Sequence, residues 1–281
     1  MAYTTLIQPE DLIPNVHQPD WRIIDCRHDL AQPDAGETAY GKGHLPGALF
    51  LHLDRDLSGV KTGSNGRHPL PEPAVLAVTL GRCGIGPGTQ VVAYDDSGGM
   101  FAARLWWLLR WLGHEAVAVL DGGLGAWKQA GEALSGDSVE FPPALFNGHP
   151  TLLTLTADDI LRQLEEPRWQ LLDARAPDRF RGENETLDPV AGHIPGALNR
   201  FFRDNLASDG RFKRVETLRE EFGALLGDRE PERVVHQCGS GVTACHNLLA
   251  MEIAGLEGSR LYPGSWSEWC SDPARPMVRG V

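Results

Sequence analysis

Brief apolar runs, separated by polar turns rich in glycine and proline, recur along the whole chain. Arg22 to Asp25, Gln90 to Tyr94 and Ala116 to Leu120 carry consecutive Val, Ile, Ala or Leu and are too short for helices. They read as strands buried on both faces. Between them lie longer stretches with helical character, of which Phe101 to Leu112, rich in Trp and Leu, is the clearest. Further on, Arg233 to Gln237 reads as a strand and Ala244 to Ala254 as a helix. Strands alternating with helices predict an α/β fold, a mostly parallel sheet flanked by helices on both faces. In such sheets ligands bind beyond the carboxyl ends of the strands.

The pattern occurs twice. Ile23-Ile24-Asp25-Cys26-Arg27 returns as Leu171-Leu172-Asp173-Ala174-Arg175, and Gly43-His44-Leu45-Pro46-Gly47-Ala48 as Gly192-His193-Ile194-Pro195-Gly196-Ala197. Val91-Val92 returns as Val234-Val235 and Trp127 as Trp269, so the offset drifts only between 149 and 142 residues. Two copies of one domain account for this, with small changes in loop length. The expected division is a first domain over 1–135, a linker over 136–150 and a second domain over 151–281. The linker carries Gly136, Pro142, Pro143, Gly148 and Pro150, while Phe141, Leu145 and Phe146 are expected to tie it against a domain surface.

Composition narrows the function. A net charge of -12 argues against nucleic acid as the main partner. No stretch approaches the roughly 20 apolar residues of a membrane span, and the start shows no basic region followed by an apolar run. The five cysteines are scattered without a Cys-x-x-Cys pair, so no zinc site or disulfide framework is expected. Free thiols in a reducing cytoplasm are the expectation.

One of those thiols stands in a special setting. Cys238 follows a strand in His236-Gln237-Cys238-Gly239-Ser240-Gly241-Val242-Thr243, and a helix follows the loop. Gly239 and Gly241 permit unusual backbone angles and leave room beside the sulfur. The N–H groups of Gly239, Ser240, Gly241, Val242 and Thr243 can curl around an anion, and the helix N-terminus adds positive potential. Both favour thiolate, the nucleophilic form. A buried structural cysteine is the bland alternative. The first repeat holds Asp95 at the matching place, in Tyr94-Asp95-Asp96-Ser97-Gly98-Gly99, so only the second copy carries a nucleophile. A cysteine phosphatase would need an arginine six residues after the cysteine, and that residue is Ala244.

The Asp-x-Arg strand ends, both Gly-His-x-Pro-Gly-Ala motifs, the Cys238 loop and Gly264-Ser265-Trp266-Ser267-Glu268-Trp269 together resemble the tandem rhodanese-type sulfurtransferases over nearly the whole chain. The resemblance implies two rhodanese-like domains, the first catalytically silent. It implies a Cys238 persulfide that carries sulfur from a small donor to cyanide, a small thiol or a thioredoxin-like protein, with no cofactor and no metal. The loop is similar to that of the 3-mercaptopyruvate branch; thiosulfate is the alternative donor. A sulfur-sensing or interaction module without catalysis is the alternative of another class.

Residue by residue, the resemblance implies Arg179 as the anion-binding arginine, a role suited to a bidentate guanidinium. Arg175 is a second candidate for the donor, with pairing to Asp173 as its alternative. A second arginine, common in the mercaptopyruvate branch before Gly-His-Ile-Pro-Gly, is missing from Glu183-Asn184-Glu185-Thr186-Leu187-Asp188-Pro189, and Pro263 stands where an Asp often precedes Gly-Ser-Trp. The branch's proton relay implies Ser240 with His44 and Asp34. Against His44 stands His193, which occupies the same motif of the other repeat and suggests that both histidines pin a turn.

Overall fold

In a computed structural model, which describes residues 2–280, nine strands form two separate parallel sheets. In the first, β1 (Leu6–Ile7), β2 (Trp21–Asp25), β3 (Ala48–Phe50), β4 (Gln90–Tyr94) and β5 (Val117–Leu120) lie in the order β1-β5-β4-β2-β3. In the second, β6 (Gln170–Asp173), β7 (Leu198–Asn199), β8 (Val234–Gln237) and β9 (Arg260–Leu261) lie in the order β7-β6-β8-β9. A parallel bridge from Thr154 to Leu261 stands where β1 stands in the first sheet. All pairings within both sheets are parallel. The duplicated pattern is therefore a duplicated topology.

Register makes the repeat exact at the strand ends. Asp25 pairs with Tyr94, and Asp173 pairs with Gln237. The residues that follow, Asp95 and Cys238, consequently leave the two sheets at equivalent points. The near-continuous apolar runs follow from burial on both faces. In the first unit Ile23, Val92, Ala118 and Leu120 pack with Leu12, Leu45 and Trp127. In the second, Leu171 and Val235 pack with Ile160, Phe180, Ile194, Trp266 and Trp269. Trp266 and Trp269 are core residues, and Trp106, Trp107 and Trp111 are buried on the helix Ala102–Trp111.

The compact units differ from the two contiguous halves expected. The first comprises 1–59, 70–152 and 208–211; the second comprises 60–69, 153–207 and 212–281. Residues 136–150 belong to the first unit, where the Arg22 guanidinium stacks 3.8 Å from the Phe141 ring centroid. The Ala144 N–H donates to Gly81 O at 2.9 Å, and Phe146 lies against His114, so the expected linker is tied down at several points. Leu145 remains exposed. The short segment 60–69 is what the repeat did not foretell, and it carries two residues of the site.

Candidate active site

Cys238 is 2% exposed, at the end of β8. Its backbone is held from one direction by the Gly264-to-Ser267 segment. Ser265 Oγ accepts from Cys238 N–H at 3.1 Å and donates to Tyr262 O at 3.0 Å. The N–H groups of Trp266 and Ser267 donate to Cys238 O and Gly239 O, both at 2.9 Å. Ser265 has a φ of 54°, and it is the one non-glycine residue with positive φ among the described residues. A side chain in that region is strained, and it persists where its surroundings over-determine it. Here two hydrogen bonds of one buried hydroxyl do so.

The loop glycines have distinct reasons. Gly241 has a φ of 77°, and a Cβ there would stand 2.4 Å from Pro263 O. At Gly239 the missing side chain admits guanidinium groups: a Cβ would stand 2.7 Å from Arg67 Nη2 and 3.6 Å from Arg179 Nη2. Ser240 N–H reaches Cys238 Sγ at 3.5 Å. Val242 and Thr243 then lead into the 11-residue helix Thr243–Ile253, with Val242 at its N-cap. The loop thus combines an N–H on the sulfur with a helix N-terminus, both of which favour negative charge there.

Ser240 Oγ lies 2.7 Å from Nδ1 of His68, a residue of the 60–69 segment. His68, and neither His44 nor Asp34, is the residue whose contact with Ser240 is seen. His44 Nδ1 and Nε2 lie 2.9 Å from Tyr40 O and 3.1 Å from Asp137 O, and the ring stacks on Tyr40. His193 makes the matching contacts, with Phe180 O at 2.8 Å and a stacked Phe180 ring. Both motif histidines pin turns. Asp34 has an 84% exposed side chain and lies 3.8 Å from His52.

The arginines divide similarly. Arg175 is buried, bound to Asp173 through Nε and Nη2, to Gly192 O at 2.8 Å and to Glu185 at 3.4 Å. Arg27 repeats the pattern on Asp25 and Gly43 O. This corrects the expectation of Arg175 as a donor contact, because its guanidinium is committed to the fold. Arg181 pairs with Glu183 at the surface. Arg179 does reach the Cys238 loop. Glu185 binds its Nε and Nη2 at 2.8–3.2 Å, and Asp188 lies 3.3 Å from its Nη2. Asp188 also binds Arg67. Burial would push the Glu185 carboxyl up, but Arg179 and the N–H groups of Leu187 and Asp188 outweigh it and hold it below the usual range.

The remaining cysteines contrast in chemistry. None of the five is joined in a disulfide. Burial pushes Cys83 and Cys270 up to about 11, and burial with the nearby Asp25 carboxylate holds Cys26 well above the usual thiol range, so these stay protonated at neutral pH. Cys245, in the helix Thr243–Ile253, donates to Gly241 O of the preceding loop at 3.3 Å.

In the first unit, Asp95 uses its carboxylate to accept from the N–H groups of Ser97, Gly99, Phe101 and Ala102 at 2.8–2.9 Å. Where the second unit carries Cys238, the first carries a carboxylate that staples its loop. Nearby, His28, His52 and Asp54 gather within 4.8 Å, as metal ligands can. The hydrogen bonds of His52 oppose that use. Its Nδ1 accepts from the N–H groups of Asp54 and Arg55 at 3.1 and 3.4 Å, so Nε2 carries the proton it donates to Pro33 O at 3.1 Å. Freeing Nε2 for a metal would move that proton to Nδ1, against two N–H donors.

Comparison with known proteins follows this geometry. The model of the rhodanese-like domain matches residues 8–130 and 156–272. A probable 3-mercaptopyruvate sulfurtransferase from Pseudomonas aeruginosa is 50% identical over the full length of both chains. A putative thiosulfate sulfurtransferase from Mycobacterium tuberculosis is 45% identical, covering 92% of this chain and 91% of its own. Among solved structures, the 3-mercaptopyruvate sulfurtransferase SseA from Escherichia coli superposes with a TM-score of 0.81 at 32% identity, covering 94% of this chain and 99% of its own.

Proposed function

Because the chain belongs to the rhodanese-like domain family, with two copies of the domain, we propose that it is a sulfurtransferase that takes sulfur from 3-mercaptopyruvate through a persulfide on Cys238. The observation that carries the reading is the pairing of a buried strand-end cysteine with a hydroxyl–imidazole couple, Ser240 and His68, two residues along its loop. A thiolate needs the N–H and helix environment that the loop provides. A carbon leaving group needs a proton, which Ser240 with His68 is placed to deliver.

The Cys238 thiolate attacks the donor's sulfur. An S–S bond forms and the C–S bond breaks, with its electron pair leaving on carbon as pyruvate enolate. Protonation at that carbon gives pyruvate. Arg179 binds the donor carboxylate, a planar guanidinium meeting a planar anion. An acceptor nucleophile then attacks the outer sulfur and returns the Cys238 thiolate. Cyanide, a small thiol and a reduced thioredoxin-like protein all suit this second step, and a reducing cytoplasm suits a chain whose five cysteines form no disulfide. Among the described residues, no helix is long and apolar enough to cross a membrane.

Thiosulfate gains support from relatives named for it. Its leaving group, sulfite, departs on sulfur with no carbanion to protonate, so it leaves the Ser240–His68 couple without a task. Steady-state kinetics with both donors tests the choice. A kcat/KM for thiosulfate about tenfold or more above that for 3-mercaptopyruvate would reverse it.

A further inference from the structure

The loop from Glu183 to Pro189 carries no basic residue, yet a second guanidinium besides that of Arg179 stands at Gly239. It is that of Arg67, from the segment 60–69, whose N–H donates to Ser267 Oγ at 3.0 Å. The Ser267 N–H in turn donates to Gly239 O, so the backbone of Arg67 is tied to the Cys238 loop through one residue. Its guanidinium and that of Arg179 both lie over the residue after the nucleophile. One carboxylate spans them: Asp188 Oδ1 binds Arg67 Nη1 and Oδ2 lies 3.3 Å from Arg179 Nη2.

Resting on the reading of Cys238 as the nucleophile toward 3-mercaptopyruvate, we propose that Arg67 is the second donor-binding cation, with Asp188 the positioning residue that holds it beside Arg179 and sets the preference for singly charged donors. Three features support this. Arg67 is partly exposed while Asp188 is buried, so the cation can face a ligand and its partner cannot. Glu185 binds Nε and Nη2 of Arg179 and Asp188 bridges Arg179 to Arg67, so the two guanidiniums are held beside each other by buried carboxylates. The charges also balance. Arg67, Arg175 and Arg179 stand against Asp173, Glu185 and Asp188. A monoanionic donor enters such a site with less repulsion than a dianion, because the carboxylates already answer the cations. Selectivity by charge count follows from these three carboxylates, and the loop Gly239 to Thr243 adds no cation of its own.

The test measures kcat and KM for 3-mercaptopyruvate and for thiosulfate in the full-length wild type, Arg67→Ala, Arg67→Lys and Asp188→Asn. Arg67→Ala is expected to raise the KM for 3-mercaptopyruvate about tenfold with kcat changed less than about threefold, the signature of lost ground-state binding. Arg67→Lys keeps the charge without the fork and should recover part of the loss. Asp188→Asn removes one negative charge and is expected to shift the ratio of kcat/KM toward thiosulfate by about fivefold. An unchanged KM for both donors in Arg67→Ala overturns the proposal, as does an unshifted donor ratio in a folded Asp188→Asn. Arg67→Ala decides alone if Asp188→Asn fails to fold. Should the wild type favour thiosulfate while Arg67→Ala still raises the KM for it, the donor reading falls and the binding role of Arg67 stands.

Discussion

Ser265 offers a quantitative test of how Cys238 is held. Its hydroxyl accepts from Cys238 N–H and donates to Tyr262 O, and the residue is fully buried. Ser265→Ala leaves a buried donor and a buried acceptor without that partner. Each orphaned group costs about 1–3 kcal/mol, and shared relaxation brings the expected sum to about 2–4 kcal/mol. Ser265→Gly loses the same bonds but relieves the positive φ, worth about 1–2 kcal/mol, against an entropic cost for glycine of about 0.5–1 kcal/mol. Glycine is therefore expected to be the more stable of the two variants by about 0.5–1 kcal/mol. Urea unfolding read by hydrogen exchange on peptides of the second unit gives both values without interference from the first. The same experiment should show faster exchange of the Cys238 amide in both variants. Displacing the sulfur should also slow single-turnover persulfide formation by about 10- to 100-fold. Wild-type protection and rate in Ser265→Ala would refute the account, and so would Ser265→Gly proving the less stable variant.

Three further outcomes follow from the geometry. Arg179→Ala should raise the KM for 3-mercaptopyruvate by about tenfold or more; an unchanged KM removes it from the donor site. His68→Gln and Ser240→Ala should each lower kcat with 3-mercaptopyruvate by about 10²-fold, and the double variant should lose little more, because hydroxyl and imidazole act as one relay. Additive losses would separate them. His236, buried behind the loop, has its pKa driven down to about 3 by burial, so it is neutral in the fold while the unfolded chain protonates near 6.5. Stability from this group is complete above about pH 6.5 and falls by about 1.4 kcal/mol per unit as pH drops toward 3. Urea midpoints between pH 7.5 and 5.5 should thus decline more steeply in the wild type than in His236→Leu, and parallel slopes would contradict the assignment.

Much of the fold was legible because it is written twice. The Asp-x-Arg ends of β2 and β6 and the two histidine motifs are local, repeated and bound by the same contacts in each unit. Cys238 was legible for the opposite reason, as the place where the repeats differ. For His44 the sequence offered both readings, and the contacts agree with the one that its recurrence as His193 carries, a turn that both copies share. Arg67 and His68 were not legible by proximity or by repeat. Their partners Ser267 and Ser240 lie 200 and 172 residues away in sequence. What could have pointed to them is composition, since Gly66-Arg67-His68-Pro69 places a cation and an imidazole in a glycine- and proline-bounded loop of the first half, a half that otherwise carries no nucleophile. Arg175 shows the limit of motif transfer, because only contacts reveal that Asp173, Glu185 and Gly192 O consume its guanidinium.

The central claim is that Cys238 carries the sulfur. Intact-protein mass spectrometry after brief exposure to 3-mercaptopyruvate, without acceptor, tests it most directly. The wild type is expected to gain about 32 Da, one sulfur atom on the reactive thiolate. That mass should map to the peptide containing Cys238, disappear on adding cyanide, and never form in Cys238→Ser. An adduct of the same mass that persists in Cys238→Ser, or none in a wild type that turns over the donor, would contradict it.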